Sequence, residues 1–178
     1  MLRVRPLVGP RVSAANRVKP ARGVTVTVNG AMLRLASSRW EVLFGDVFVF
    51  YGGPGAFADS DYRRWYDALV SSGTRRYLGG TAKGFTLTSE QRRHCRSFFR
   101  DNRVRFVTVT DDPLVRGFVT TGAWFGLDIA AFSWSQLDAA TRHLNLDGPA
   151  GEQTKAVLLR LRVDVEVRAA AARTPFDA

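Results

Sequence analysis

The sequence predicts an α/β protein, with a mixed β-sheet of about four to five strands, helices packed against it, and a basic N-terminal extension. Three observations carry this reading. Short β-rich apolar runs recur at 40–44, 47–51, 75–78, 105–110 and 129–132. Helical apolar periodicity fills most of the gaps between them. Two of those helical stretches open on a Ser/Thr followed three residues later by Gln, the signature of a reciprocal N-terminal cap.

Composition bounds the problem. A hydrophobic content of 46% is ordinary for a folded domain and sufficient for a full core. No apolar run reaches the 18 or so residues needed for a transmembrane helix. The single cysteine, Cys95, excludes an internal disulfide framework and fits a reducing compartment, so a cytoplasmic location is expected. The net charge of +10 is unevenly placed. Residues 1–39 hold eight basic and no acidic residues, hence +8, whereas the other 139 hold 18 basic and 16 acidic residues, hence +2. The basic character belongs to the extension, and the body gives no general argument for nucleic-acid binding.

Residues 1–23 carry Pro6, Pro10 and Pro20, scattered arginines and no period, and read as an arm. Arg3, Arg5, Arg11, Arg17, Lys19 and Arg22 are its candidates for touching nucleic acid or an anionic surface. The same pattern also suits a transit peptide, a solvated tail, or a leader ahead of an alternative start at Met32. Val24–Val28 alternates and meets Asn29-Gly30, a two-residue hairpin signal, so a hairpin over 24–35 is expected in place of a start at Met32.

Trp40–Phe44 and Val47–Tyr51 read as antiparallel strands joined at Gly45-Asp46, the second apolar throughout and therefore central. The following Gly52-Gly53-Pro54-Gly55 lacks both phosphate-loop spacings, and no nucleotide or other cofactor is expected there. Asp59 or Ser60 is expected to cap a helix with an apolar stripe of Tyr62, Trp65, Tyr66, Leu69 and Val70. Gly73 ends it. Arg75–Leu78 is a short strand that Gly79-Gly80 should break. Thr88 and Gln91 then form a capping box for a helix to about Asn102, with Cys95, Phe98 and Phe99 inside and Arg92, Arg93, Arg96 and Arg100 outside. After the strand 105–110, Asp112 caps a third helix with Pro113 at its first position and Leu114, Val115, Phe118 and Val119 in its stripe. Ile129–Phe132 is a short strand, and Ser133 with Gln136 caps a helix striped by Leu137, Ala140, Thr141 and Leu144. Beyond the break at 147–151, a helix is expected to about Arg162. The alternation of Leu159, Leu161, Val163, Val165 and Val167 with charged residues also fits an edge strand, and 169–178 reads as a tail.

The body from about Trp40 to Leu146, roughly 60% of the chain, resembles the STAS-like (SpoIIAA-like) family, related to bacterial anti-anti-sigma factors. The order of elements matches. Local matches to a group of uncharacterised STAS-like bacterial proteins are Trp65, Gln91-Arg92, Leu114-Val115-Arg116-Gly117 with Trp124-Phe125, and Ala131-Phe132. The resemblance implies one domain over 40–168 that works by binding a protein partner, often as a switch. In anti-anti-sigma factors a kinase phosphorylates a serine at the start of the second helix, within an Asp-Ser-Ser-Gly-like motif. The corresponding region here, Thr81–Gln91, lacks that motif. Thr88 and Ser89 are the phosphorylation candidates in it, with Arg92 and Arg93 placed to pair with a phosphate.

An enzyme would have to draw on Asp111-Asp112, on Asp59 and Asp61 with Ser60, or on His94 and His143. General acid–base work needs positioned partners, and the spacing identifies none, so no enzymatic activity and no metal site are expected. The expected function is a non-enzymatic regulatory, protein-interaction module. The alternatives are binding of nucleic acid or membrane through the arm, or a structural role in an assembly.

Overall fold

A computed structural model describes residues 37–123 and 127–172 of the chain. The arm, the 24–35 hairpin, Trp124, Phe125 and residues 173–178 lie outside the described residues. The elements in order are β1 (Ser38–Leu43), β2 (Val47–Gly52), β3 (Gly55–Ala56), α1 (Asp59–Ser71), β4 (Arg76–Thr81), β5 (Phe85–Thr86), α2 (Ser89–Asp101), β6 (Arg105–Val109), α3 (Pro113–Ala123), β7 (Ile129–Phe132), α4 (Leu137–His143) and α5 (Gly148–Ala171). A five-stranded mixed sheet of order β1-β2-β4-β6-β7 forms the centre, and β3 and β5 pair as a two-stranded ribbon. Among the described residues, only the β1–β2 pair is antiparallel in the main sheet. Its turn works because Phe44 and Gly45 both take positive φ, 53° and 80°, the backbone twist a tight hairpin requires.

The two faces of the sheet have different chemistry. Strand alternation sends Val47, Val49, Tyr51, Leu78, Val107 and Val109 to one face, where α4 and α5 cover them with Ala140, Leu144, Val157, Leu158, Leu161 and Val165. The other face is aromatic: Phe48, Phe50 and Tyr77 meet Tyr62, Trp65 and Leu69 of α1 and Cys95, Phe98 and Phe99 of α2. There Tyr77 stacks on Phe106 at 4.9 Å, and Trp65 meets Phe48 edge-on at 6.4 Å. All six residues of β2 are buried, as a central strand demands.

Four expectations are corrected. The pair Gly79-Gly80 does not break its strand, and β4 runs through both to Thr81. A Cβ on Gly79 would stand 2.7 Å from the Tyr77 ring. One on Gly80 would stand 2.7 Å from Trp134, 2.9 Å from Leu158 and 3.0 Å from Tyr51. These glycines vacate space that neighbouring side chains fill. Neither Asp59 nor Ser60 caps α1; Ala58 holds that position without a side-chain bond, and Asp59 binds elsewhere. Val70 and Leu114, expected in apolar stripes, are 51% and 74% exposed. The final segment is neither a strand nor a helix ending near Arg162: α5 is 24 residues long and runs to Ala171. Apolar residues at every second position place Val157, Leu161 and Val165 on the sheet at i, i+4, i+8, and a second set outside, so a period of two is compatible with a docked helix.

The other capping signals hold. Thr88 and Gln91 form the full reciprocal box, and Asp112 Oδ1 accepts from Leu114 N at 2.9 Å. Ser133 and Gln136 also form their box, over a 3-10 turn at Trp134–Gln136 that runs straight into α4.

Candidate functional site

The start of α2 is built around Gln91, a buried polar side chain. Gln91 N donates to Thr88 Oγ1 at 3.2 Å, while Gln91 Oε1 accepts from Thr88 N at 3.0 Å. Its amide nitrogen reaches across to α1, donating to Phe57 O at 3.1 Å and Asp59 Oδ1 at 3.0 Å. One side chain thus satisfies the N-terminus of its own helix and ties it to the N-terminus of its neighbour. The ribbon of β3 and β5 leads into both helices. Tyr62 donates to Gln91 O at 3.3 Å and packs beside Cys95, whose thiol burial pushes up to about 11.

The four predicted residues at this helix start have distinct settings. The Thr88 hydroxyl is committed to the cap. Ser89 is exposed in the first turn, and Arg92 Nη2 donates to its Oγ at 3.1 Å. Arg92 Nη1 also donates to Leu87 O at 2.5 Å, which fixes the guanidinium over the first turn. Arg93 is exposed and pairs with neither hydroxyl. The structure therefore brings Ser89 and Arg92 together and leaves Arg93 apart. The arm residues Arg3, Arg5, Arg11, Arg17, Lys19 and Arg22 lie outside the described residues.

The clusters considered for catalysis are dispersed into local roles. Asp111 Oδ1 accepts from Trp134 N at 3.3 Å, Asp112 caps α3, and Asp59 belongs to the Gln91 network. His94 stands 3.9 Å from Glu90 on the exposed side of α2. The glycine loop after β2 is occupied: Gly53 N donates to Ser37 O at 2.7 Å, and a Cβ on Gly52 would meet the Phe85 ring at 2.6 Å. Among the described residues, no group of three His, Cys, Asp or Glu could hold a metal ion, and no helix is long and apolar enough to cross a membrane.

A second polar cluster, on the α5 face, was not anticipated. Tyr51 donates to Glu166 Oε1 at 2.8 Å, Arg162 Nε donates to the same oxygen at 2.9 Å, and the Arg162 guanidinium lies 4.4 Å from the Trp134 ring centre. Burial, then the bond to Glu166, raises the Tyr51 pKa above the ordinary phenol value. The sequence offered one usable signal for this cluster, the i, i+4 pairing of Arg162 with Glu166, but it was masked by the strand-like alternation.

No family model and no curated protein matches this sequence. Among solved structures, the chain is similar to an uncharacterized protein of the DUF3478 family with a SpoIIAA-like fold from Shewanella loihica PV-4. The match has 15% sequence identity and a TM-score of 0.46, and it covers 65% of this chain and 99% of that chain.

Proposed function

We propose that the chain is a non-enzymatic, STAS-type protein-interaction module, switched by phosphorylation of Ser89. The observation that carries the switch is the Arg92–Ser89 contact at 3.1 Å on an exposed first turn. A phosphate there would gain charge-assisted hydrogen bonds from a guanidinium already in place. It would also lie where helix N–H groups and the dipole favour negative charge, by about 0.3–1 kcal/mol at an exposed site. Ser89 is preferred to Thr88 because modifying the Thr88 hydroxyl would disturb a cap worth about 1 kcal/mol. The five-stranded mixed sheet with helices on both faces supports the STAS-type reading.

Mass spectrometry of the chain isolated from its native cells should find phosphate on Ser89. Ser89→Asp and Ser89→Ala should capture different amounts of the same partner in pull-downs. Unmodified Ser89 together with identical capture by both variants would reject the switch. Sustained turnover of a substrate by the purified chain alone would reject the non-enzymatic reading.

A further inference from the structure

The face of α5 that points away from the sheet carries an unusual sequence. Leu159, Val163 and Val167 recur at i, i+4, i+8 opposite the core stripe, and are 43%, 57% and 61% exposed. Between them the segment reads Leu159-Arg160-Leu161-Arg162-Val163-Asp164-Val165-Glu166-Val167. Reflection about Val163 returns an apolar residue for each apolar residue and exchanges each arginine for an acid. A helix turns 100° per residue, so Arg160 and Asp164 fall on one flank of the stripe, and Arg162 and Glu166 on the other.

A two-fold axis through Val163 would pair this face with itself antiparallel. Val163 then meets its own copy, Leu159 meets Val167, and flank meets like flank. On one side Arg160 faces Asp164 of the second helix, and on the other Arg162 faces Glu166. A parallel pairing would set basic against basic and acid against acid. Within the protomer, Arg160 donates to Glu41 at 2.5 Å, and Glu166 uses Oε1 for both Tyr51 and Arg162. The Asp164 carboxylate is exposed and makes no hydrogen bond or ion pair among the described residues. An unpaired carboxylate and an exposed apolar stripe thus lie side by side on a helix docked to the sheet.

We propose that the outward face of α5 is a two-fold, antiparallel interface between two copies of this chain, centred on Val163. An isologous contact of this kind closes at two copies. The register makes the test specific. In the full-length chain under mild oxidation, Val163→Cys should cross-link to its own copy at least tenfold faster than Leu159→Cys or Val167→Cys alone, and the Leu159→Cys/Val167→Cys double variant should regain the fast rate. Val163→Glu, at an exposed position, should convert a dimer measured by analytical ultracentrifugation to a monomer without changing the circular dichroism spectrum. A wild-type chain that sediments as a monomer at high micromolar concentration overturns the proposal, as does a dimer that survives Val163→Glu. Equal cross-linking at 159, 163 and 167 overturns it too, since another occupant of the stripe would give no preference for position 163.

Discussion

Alkaline titration should unfold this protein and ionise its phenols in one step. The chain has four tyrosines, at 51, 62, 66 and 77, and burial is the leading reason that each holds its proton more tightly than a free phenol. A group whose folded pKa is raised contributes stability that is fully present below its unfolded pKa. That stability is lost as pH rises toward the folded value, because the unfolded chain releases a proton the native chain keeps. The window therefore opens at about pH 10 for the tyrosines. Tyr51, Tyr62 and Tyr77 are nearly inaccessible, and at about 1.4 kcal/mol per group per pH unit the three together remove about 4 kcal/mol per unit. The Cys95 thiol, moved by burial from 9.0 to about 11, begins the decline one unit earlier. Two units above pH 10 the loss is about 8 kcal/mol, comparable with the whole stability of a typical domain. Far-ultraviolet circular dichroism and phenolate absorbance, followed in one titration, should change together in a single steep transition. Phenolate appearing with a midpoint near 10 while the dichroism stays native would refute the reasoning.

Other perturbations test the same architecture. Gln91→Leu keeps the bulk but orphans the Phe57 carbonyl and the Thr88 N–H, and should lower stability by about 2–4 kcal/mol in denaturant titration. Thr88→Ala should cost about 1 kcal/mol through the lost cap, whereas Ser89→Ala, on the exposed side of the same turn, should stay within about 0.5 kcal/mol. Gly80→Ala should cost about 1–3 kcal/mol by thermal unfolding, since its methyl must displace Trp134, Leu158 and Tyr51. The same change at Gly45 removes no space but strains a φ of 80°, so it should slow hairpin closure and lower the melting temperature without altering the sheet.

The order and type of the elements were legible because local chemistry decides them. Asp112 before Pro113 and Thr88 before Gln91 set helix starts through bonds spanning only two or three residues, and both bonds are present. The solid apolar run of β2 announced a strand buried on both faces. What stayed hidden depends on distant neighbours. Gly79-Gly80 looks like a break until Tyr77, Trp134 and Leu158 are seen to fill the space. The alternation in α5 looks like a strand until the sheet that receives Val157, Leu161 and Val165 is in view. At the candidate site, the first-turn placement of Ser89 and Arg92 could be read from spacing. That the cap takes up the Thr88 hydroxyl while Arg92 reaches Ser89 could not, because it depends on the geometry of the turn and not on spacing alone. The bridge from Gln91 to Asp59 joins residues 32 apart, beyond the reach of any local pattern.

The hairpin of β1 and β2 is complete at Gly52, yet the helix that roofs its aliphatic face begins at Gly148, and the Tyr51–Glu166 bond joins positions 115 residues apart. Synthesis runs in one direction at about 5–20 residues per second, so Val47, Val49 and Tyr51 wait on the order of 5–20 seconds for their cover. Each strand–helix step in between can form as it emerges, but the layer cannot close until the ribosome has delivered α5. A message truncated before that helix would thus yield a greasy, half-sided sheet, a substrate for chaperones and proteases. The aliphatic layer therefore closes only when α5 has been made.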